Sequence, residues 1–264
     1  MDLGVKDKVM IITGGAKGIG ASVARCFAEE GGIPVIVGRS QQAGARLAQE
    51  LRELGHEAHA IYAELASWET CGEAVAEAAN RYGRLDALVN NAATNDKVGL
   101  EEGSPKDFVS SCRRNLFHYY DMAHFCVAHL KKTKGAIVNI SSKIALTGQG
   151  NTSGYAAAKG AQLALTREWA VELLKYEIRV NAVIPSEVMT ESYRRWLDTF
   201  EEPEQKLKSI EEKIPLGNRM TTANEIASMV VFLASKRASH ITGQHIYVDG
   251  GYVHLDRALS VLNT

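Results

Sequence analysis

This chain of 264 residues has no C-x-x-C pair, no H-x-x-x-H pair and no basic stripe with interleaved aromatics. Its four cysteines, Cys26, Cys71, Cys112 and Cys126, are scattered. That spacing gives a zinc site no support, and the thiols are expected to be reduced and mostly buried, as in a cytosolic protein. Of the eight histidines, His118, His124 and His129 are expected on or near a helix surface. A net charge of −1 gives no electrostatic attraction to nucleic acid or to an anionic membrane. The opening "MDLGVKDKVMIITGG" has only a short apolar run and carries acids, so neither a signal peptide nor a spanning helix is expected. A cytoplasmic location is the default expectation. There is no linker rich in Pro, Gly or Ser, no internal repeat and no low-complexity tract.

What is present is the composition of an ordinary globular protein, 45% hydrophobic and 23% charged. Short apolar runs alternate with helical patterns along the whole length. "VMII" reads as a buried strand, a glycine-rich turn follows, and Ile19, Val23 and Phe27 recur at helical spacing up to Gly31 and Gly32. "PVIVG" is a second strand, which makes a βαβ unit with a right-handed crossover. The alternation continues to a last strand at "QHIYVDGG", and residues 106–133 read as one long helix. The expected fold class is α/β: a single doubly wound Rossmann domain over residues 1–264, with a parallel sheet and helices on both faces. The charged segment at about 187–215 is the one large insertion. It follows a strand's carboxyl end, the edge where ligands bind, so a substrate lid is expected there.

"TGGAKGIG", Thr13 to Gly20, follows a strand and opens a helix. In that context glycines let the backbone approach a pyrophosphate, and the helix N-terminus offers free N–H groups. The second strand ends "VIVGRS", with Arg39 where an acid would bind the 2′-OH of NAD. Lys17 lies in the turn itself. Two cations and no carboxylate favour NADP as cofactor, with NAD still open.

"SGYAAAKGA" places Tyr155 four residues before Lys159, on one helix face. A fixed ammonium beside a phenol favours the phenolate, so this pair is expected to supply a general base near neutral pH. A surface tyrosine and a solvated lysine sharing a helix would give the same short match.

Several motifs coincide in order. "TGGAKGIG", "NNAA" at Asn90 to Ala93, "RNLFHYY" with Asn115, "NISS" with Ser142, "YAAAK", "RVNAVIP" and "VDGGY" together resemble the short-chain dehydrogenase/reductase family, from about Lys6 to Gly251. Ser142 stands thirteen residues before Tyr155, the family's spacing. The resemblance implies that Tyr155 is the general base or acid and that Lys159 lowers its pKa and holds the nicotinamide ribose. It implies that Ser142 hydrogen-bonds the reacting oxygen, and that Asn115 bends its helix around a water linking Lys159 to solvent. It also implies a cofactor cleft built from Gly14, Lys17, Gly18, Ile19 and Gly20 in the turn and Arg39 and Ser40 after the second strand. Glu64 and Leu65 would lie beside the adenine, Asn91 and Ala92 after the fourth strand, and Pro185, Val188 and Thr190 near the carboxamide. The implied step is proton transfer from a substrate hydroxyl to Tyr155 while hydride passes to the nicotinamide.

This chain has Pro185-Ser186-Glu187 where the family often reads Pro-Gly and an apolar residue. A carboxylate at the mouth suits a substrate rich in hydroxyls, because it accepts several hydrogen bonds. Long runs outside the shared motifs, such as "TGQGNTSGY" and "NAVIPSEVMT", resemble the bacterial sugar dehydrogenases of the family. They imply oxidation of the anomeric hydroxyl of an aldopyranose, L-fucose in particular, to the lactone. Ser142, Lys143, Gln149, Tyr155, Glu187 and Trp196 are the expected sugar contacts. Two rival activities stay open: a 3-oxoacyl-carrier-protein reductase, for which Arg113 and Arg114 are the available basic residues, and a non-catalytic dinucleotide-binding regulator. The small residues Ala156, Ala157, Ala158, Gly160 and Ala161 on one helix, and the apolar girth of the helix through Asn115, lead to an expected homotetramer. The tail at 252–264, with Leu255, Ala258 and Leu259 at helical spacing, is expected to narrow the site opposite Glu187.

Overall fold

The computed structural model describes residues 2–255. Strands β1 (Val9–Thr13), β2 (Ile33–Gly38), β3 (His59–Tyr62), β4 (Ala87–Asn90), β5 (Ala136–Ile140), β6 (Arg179–Pro185) and β7 (His245–Val248) form one sheet in the order β3-β2-β1-β4-β5-β6-β7. Every pairing in it is parallel. Helices α1 (Gly18–Glu29), α2 (Gln41–Glu53), α3 (Trp68–Tyr82), α4 (Pro105–Cys112), α5 (His118–Thr133), α6 (Ser153–Glu172), α7 (Glu191–Leu197), α8 (Pro203–Glu211) and α9 (Ala223–Ala234) fill the connections. The expected doubly wound Rossmann domain is what forms.

The strands are apolar at successive positions because both sheet faces are covered. Met10 and Ile12 of β1 pack with Phe27, Leu47 and Val230, under α1, α2 and α9. Val9 and Ile11 point the other way, to Val75, Met122 and Trp169 under α3, α5 and α6. The chain moves outward from β1 in both directions, to β2 and to β4. The carboxyl ends of β1 and β4 are thus the crevice where such sheets bind ligands. Among the described residues, no helix is long and apolar enough to cross a membrane.

The stretch expected as one helix over 106–133 is broken by a π turn at Arg113–Phe117 between α4 and α5. Apolar spacing does not register this turn, which is fastened by hydrogen bonds to residues distant in the chain. The Asn115 carbonyl accepts from Gln162 Nε2 at 2.7 Å. The Asn115 side chain is also held, accepting from the Thr94 N–H at 2.7 Å and donating to the Ser111 carbonyl at 3.1 Å. Just past the π turn, His118 is buried at 2% exposure, not on the surface as the sequence suggests. The segment after β6 contains α7 and α8, and α8 buries no residue.

Candidate active site

The glycine-rich turn is shaped by contacts a side chain would break. Gly14 has φ +62° and Gly18 φ +53°. A Cβ on Gly20 would stand 2.4 Å from the Gly14 carbonyl oxygen and 2.8 Å from Asn91 Nδ2. Asn91 braces the turn: its amide donates to Thr13 O at 2.9 Å and Gly14 O at 3.2 Å. The Thr13 hydroxyl receives the Asn91 and Ala92 N–H groups at 2.9 and 3.1 Å. Sequence reasoning placed Asn91 in the cleft and missed Thr13 as its anchor. Lys17 is the N-cap of α1, but its side chain makes no cap bond. The first N–H groups of α1 therefore remain for an anion. Across the cleft, Thr190 Cγ2 would be 3.3 Å from a Cβ on Gly18, so the turn and the loop after β6 face each other. Its hydroxyl caps α7, accepting from the Tyr193 N–H at 3.2 Å. Val188 is fixed by a bridge to Thr221, next to Pro185 at the end of β6.

Arg39 is exposed directly after β2, and Ser40 is the uncapped N-cap of α2. Glu64 is exposed beyond β3 and Leu65 is buried beside it. The turn, the strand ends and the free helix terminus fit a dinucleotide: glycine-lined backbone for phosphates and an open cation for a 2′-substituent.

Ser142, Tyr155 and Lys159 lie together above β5. Lys159 is 1% exposed, with its Nζ 5.4 Å from the Tyr155 ring centre. Burial pushes the Tyr155 phenol up to about 12, against a hydrogen bond from Ser142 that lowers it. Burial also pushes the Lys159 ammonium down, to about 7. The pair alone therefore does not produce the depressed phenol expected from i,i+4 spacing. Desolvation opposes both charges, and it is the larger effect here. Lys159 Nζ donates to Ile140 O at 2.7 Å, Gln162 Oε1 at 3.2 Å and Tyr119 Oη at 3.3 Å. Tyr119 in turn donates to Ile140 O at 3.0 Å. Sequence reasoning missed Tyr119 and Gln162. The one available signal was Gln162 standing three residues after Lys159 on the same helix face.

At the mouth, Lys143 and Glu187 form an ion pair with side chains only 10% and 18% exposed. Glu187 is therefore no solvated loop acid. Its second oxygen accepts from Tyr193 Oη at 2.8 Å, and the Lys143 ammonium lies 3.9 Å from the Tyr252 ring centre. Burial, together with Glu187, raises the Tyr193 phenol far above its ordinary range. Trp196 stacks edge-on against Tyr193 at 5.1 Å and Phe200 at 5.0 Å. Tyr193 and Tyr252 were not foreseen. Gln149 is exposed on the loop before α6. The turn after β7 is pinned by buried Asp249, which accepts from the Gly251 and Val253 N–H groups at 2.8 and 2.9 Å. The tail residues Asp256 to Thr264, including Ala258 and Leu259, lie outside the described residues.

A family model described as enoyl-(acyl carrier protein) reductase matches residues 14–253. The chain belongs to the short-chain dehydrogenase/reductase family. This short-chain dehydrogenase is 34% identical to L-fucose dehydrogenase of Oryctolagus cuniculus over 92% of its own length and 84% of that protein's. It is 32% identical to 3-oxoacyl-[acyl-carrier-protein] reductase FabG of Thermotoga maritima, over 94% and 99%. Among solved structures, the Cj0485 dehydrogenase superposes with a TM-score of 0.95 at 49% identity, over 98% of this chain and 99% of that one. L-Sorbose reductase from Gluconobacter frateurii, complexed with NADPH and L-sorbose, gives a TM-score of 0.92 at 27% identity, over 97% and 100%. The dehydrogenase is thus an oxidoreductase on a fold that binds NAD(P).

Proposed function

We propose that this short-chain dehydrogenase oxidises the anomeric hydroxyl of an aldopyranose, L-fucose first among them, to the lactone, with NADP⁺ preferred over NAD⁺. The observation that carries this proposal is the largely buried ion pair of Glu187 with Lys143, the residue after Ser142, in which Glu187 also accepts from Tyr193. A wall of charged and hydroxyl groups can extend further hydrogen bonds to ring hydroxyls, whereas an alkyl chain would desolvate it and offer none in return. Trp196 adds an aromatic face to the same wall. The L-fucose dehydrogenase relatives support the same substrate class.

Tyr155 as phenolate removes the proton of the anomeric hydroxyl. Ser142 holds the same oxygen by hydrogen bonding. Lys159 faces Tyr155 with positive charge when protonated. A bound nicotinamide dinucleotide supplies the hydride acceptor. Exposed Arg39 and Lys17, with no acid at the end of β2, support NADP over NAD. The segment at 187–215 acts as a lid, its α7 presenting Tyr193 and Trp196 to the mouth. The protein works in the cytoplasm as a homotetramer.

The carrier-protein relative and the family model's description favour a second activity, 3-oxoacyl-carrier-protein reduction. Of the two basic residues available to an acidic carrier, Arg114 is paired with Asp96 at 2.8 Å and Arg113 is exposed. NADP⁺ reduction across a panel of aldoses, run beside NADPH oxidation with acetoacetyl-carrier protein, separates the two. Turnover only with the thioester would overturn the sugar assignment.

A further inference from the structure

Gln162 of α6 is fully buried, and its amide is used at both ends. Nε2 donates to the Asn115 carbonyl at 2.7 Å and Oε1 accepts from Lys159 Nζ at 3.2 Å. The carbonyl can only accept, which fixes the NH₂ toward Asn115 and the oxygen toward Lys159. An ammonium has three donors. Ile140 O and Tyr119 Oη take the other two. We infer that Gln162 is a positioning residue for this dehydrogenase, tying the Lys159 ammonium to the Asn115 carbonyl within the π turn and so holding it beside Tyr155. The inference rests on the assignment of Tyr155 and Lys159 as the proton-handling pair.

The surroundings leave this role to an amide. From α5, Tyr119 offers a phenol whose own proton is committed to Ile140 O, and His118 is held neutral, burial pushing it down to about 4. Tyr155 faces Lys159 from the same helix. Beyond it, Asp96, in the loop after β4, acts on Tyr155 and is engaged by Arg114 and the Ser111 hydroxyl. The end of β5 supplies the Ile140 carbonyl, and just past it the Ser141 hydroxyl donates to the Lys159 backbone oxygen at 2.9 Å. The Thr166 hydroxyl, which donates to the Gln162 carbonyl at 2.8 Å and accepts from Asn139 Nδ2 at 3.0 Å, locks the helix register under the amide.

The test is the melting temperature of the dinucleotide-free protein against pH, for wild type and Gln162→Met. A hydrogen bond to a charged donor is stronger than one to a neutral amine. Lys159 carries its charge below about 7. The variant's deficit in Tm should therefore be largest near about pH 6 and shrink by about half or more near about pH 9. In a Lys159→Met background, the same substitution should give a deficit independent of pH. In the loaded enzyme, the acid limb of kcat/KM for oxidation should move to higher pH, because a less stable ammonium supports the phenolate less. If Gln162→Met does not fold, Gln162→Asn, too short to reach both partners, is measured in the same way. A pH-independent deficit with an unmoved acid limb would overturn the role. The Tm arm reads out without turnover, so it stands apart from any failure of the sugar assignment.

Discussion

Tyr155 carries the chemistry only if its proton can leave, and the folded chain by itself holds that proton tightly, with the phenol pushed up to about 12. Tyr155→Phe should remove about nine-tenths or more of turnover, as loss of a general base does, while dinucleotide affinity changes by less than about threefold. Stopped turnover with intact fluorescence titration of NADPH is the expected pair of results. Arg39→Asp should move the ratio of kcat/KM values toward NAD⁺, since an acid repels a 2′-phosphate and accepts from a 2′-hydroxyl. An unmoved ratio places the 2′-group elsewhere. Glu187→Gln removes the charge that Lys143 and Tyr193 share. It should lower kcat/KM for the best aldose by about tenfold or more with little change in dinucleotide Kd, because the pocket's polar groups lose their arrangement. At this scale the sequence offered candidate residues more readily than their contacts. Tyr155 and Lys159 were visible by spacing. The bond from Gln162 to Lys159, and the seat of Tyr252 over Lys143, join residues 3 and 109 positions apart through folded geometry. The raised phenol, opposite to the expected shift, comes from burial that a linear pattern does not report.

Elements set these residues in place, and two of them can be tested without turnover. The turn into α1 has no room at Gly20, where a Cβ would meet the Gly14 carbonyl. Gly20→Ala should weaken dinucleotide binding by about tenfold or more, the equivalent of the one or more kcal/mol that overpacking costs. Calorimetric titration reads it directly. The start of α9 is a capping box in which Thr222 accepts from the Glu225 N–H and the Glu225 carboxylate accepts from the Thr222 N–H at 2.8 Å. Arg219 also pairs with Glu225, and its hydrogen bond is the main cause that depresses the carboxyl to about 2. A depressed carboxyl contributes stability above its unfolded value of about 4.3 and loses it as pH falls toward 2. Glu225→Gln should thus lower the urea midpoint at neutral pH and converge on wild type near about pH 2. The side chain is 41% exposed, so the difference should be small. Strand and helix order was legible throughout, because two-sided burial writes continuous apolar runs. The π turn was not, since α4 and α5 keep their apolar spacing across it.

The whole molecule leaves apolar surface uncovered on one side. Phe117, Tyr120, Trp68 and Val171 are between 45% and 69% exposed on α3, the π turn, α5 and α6. Shallow depressions lie between these helices, one lined by Trp68, Phe117 and Tyr120 and another by Tyr120, Phe125 and Trp169. Surfaces of this kind are commonly covered by a copy of the same chain. Sedimentation equilibrium at micromolar concentration should give a tetramer, and a monomer would remove the proposed assembly. The alternation along the chain implied a parallel, doubly wound sheet, and the mouth of the site follows from the observed order that puts β1 beside β4. The substrate was less legible, because Glu187 marks polarity without stereochemistry. The most direct test of the account is the initial rate of NADP⁺ reduction by purified protein with L-fucose, other aldoses and their 1-deoxy analogues. The account predicts turnover with aldoses, none with 1-deoxy sugars and loss of all of it in Tyr155→Phe. Reduction of acetoacetyl-carrier protein with no oxidation of any aldose would contradict it.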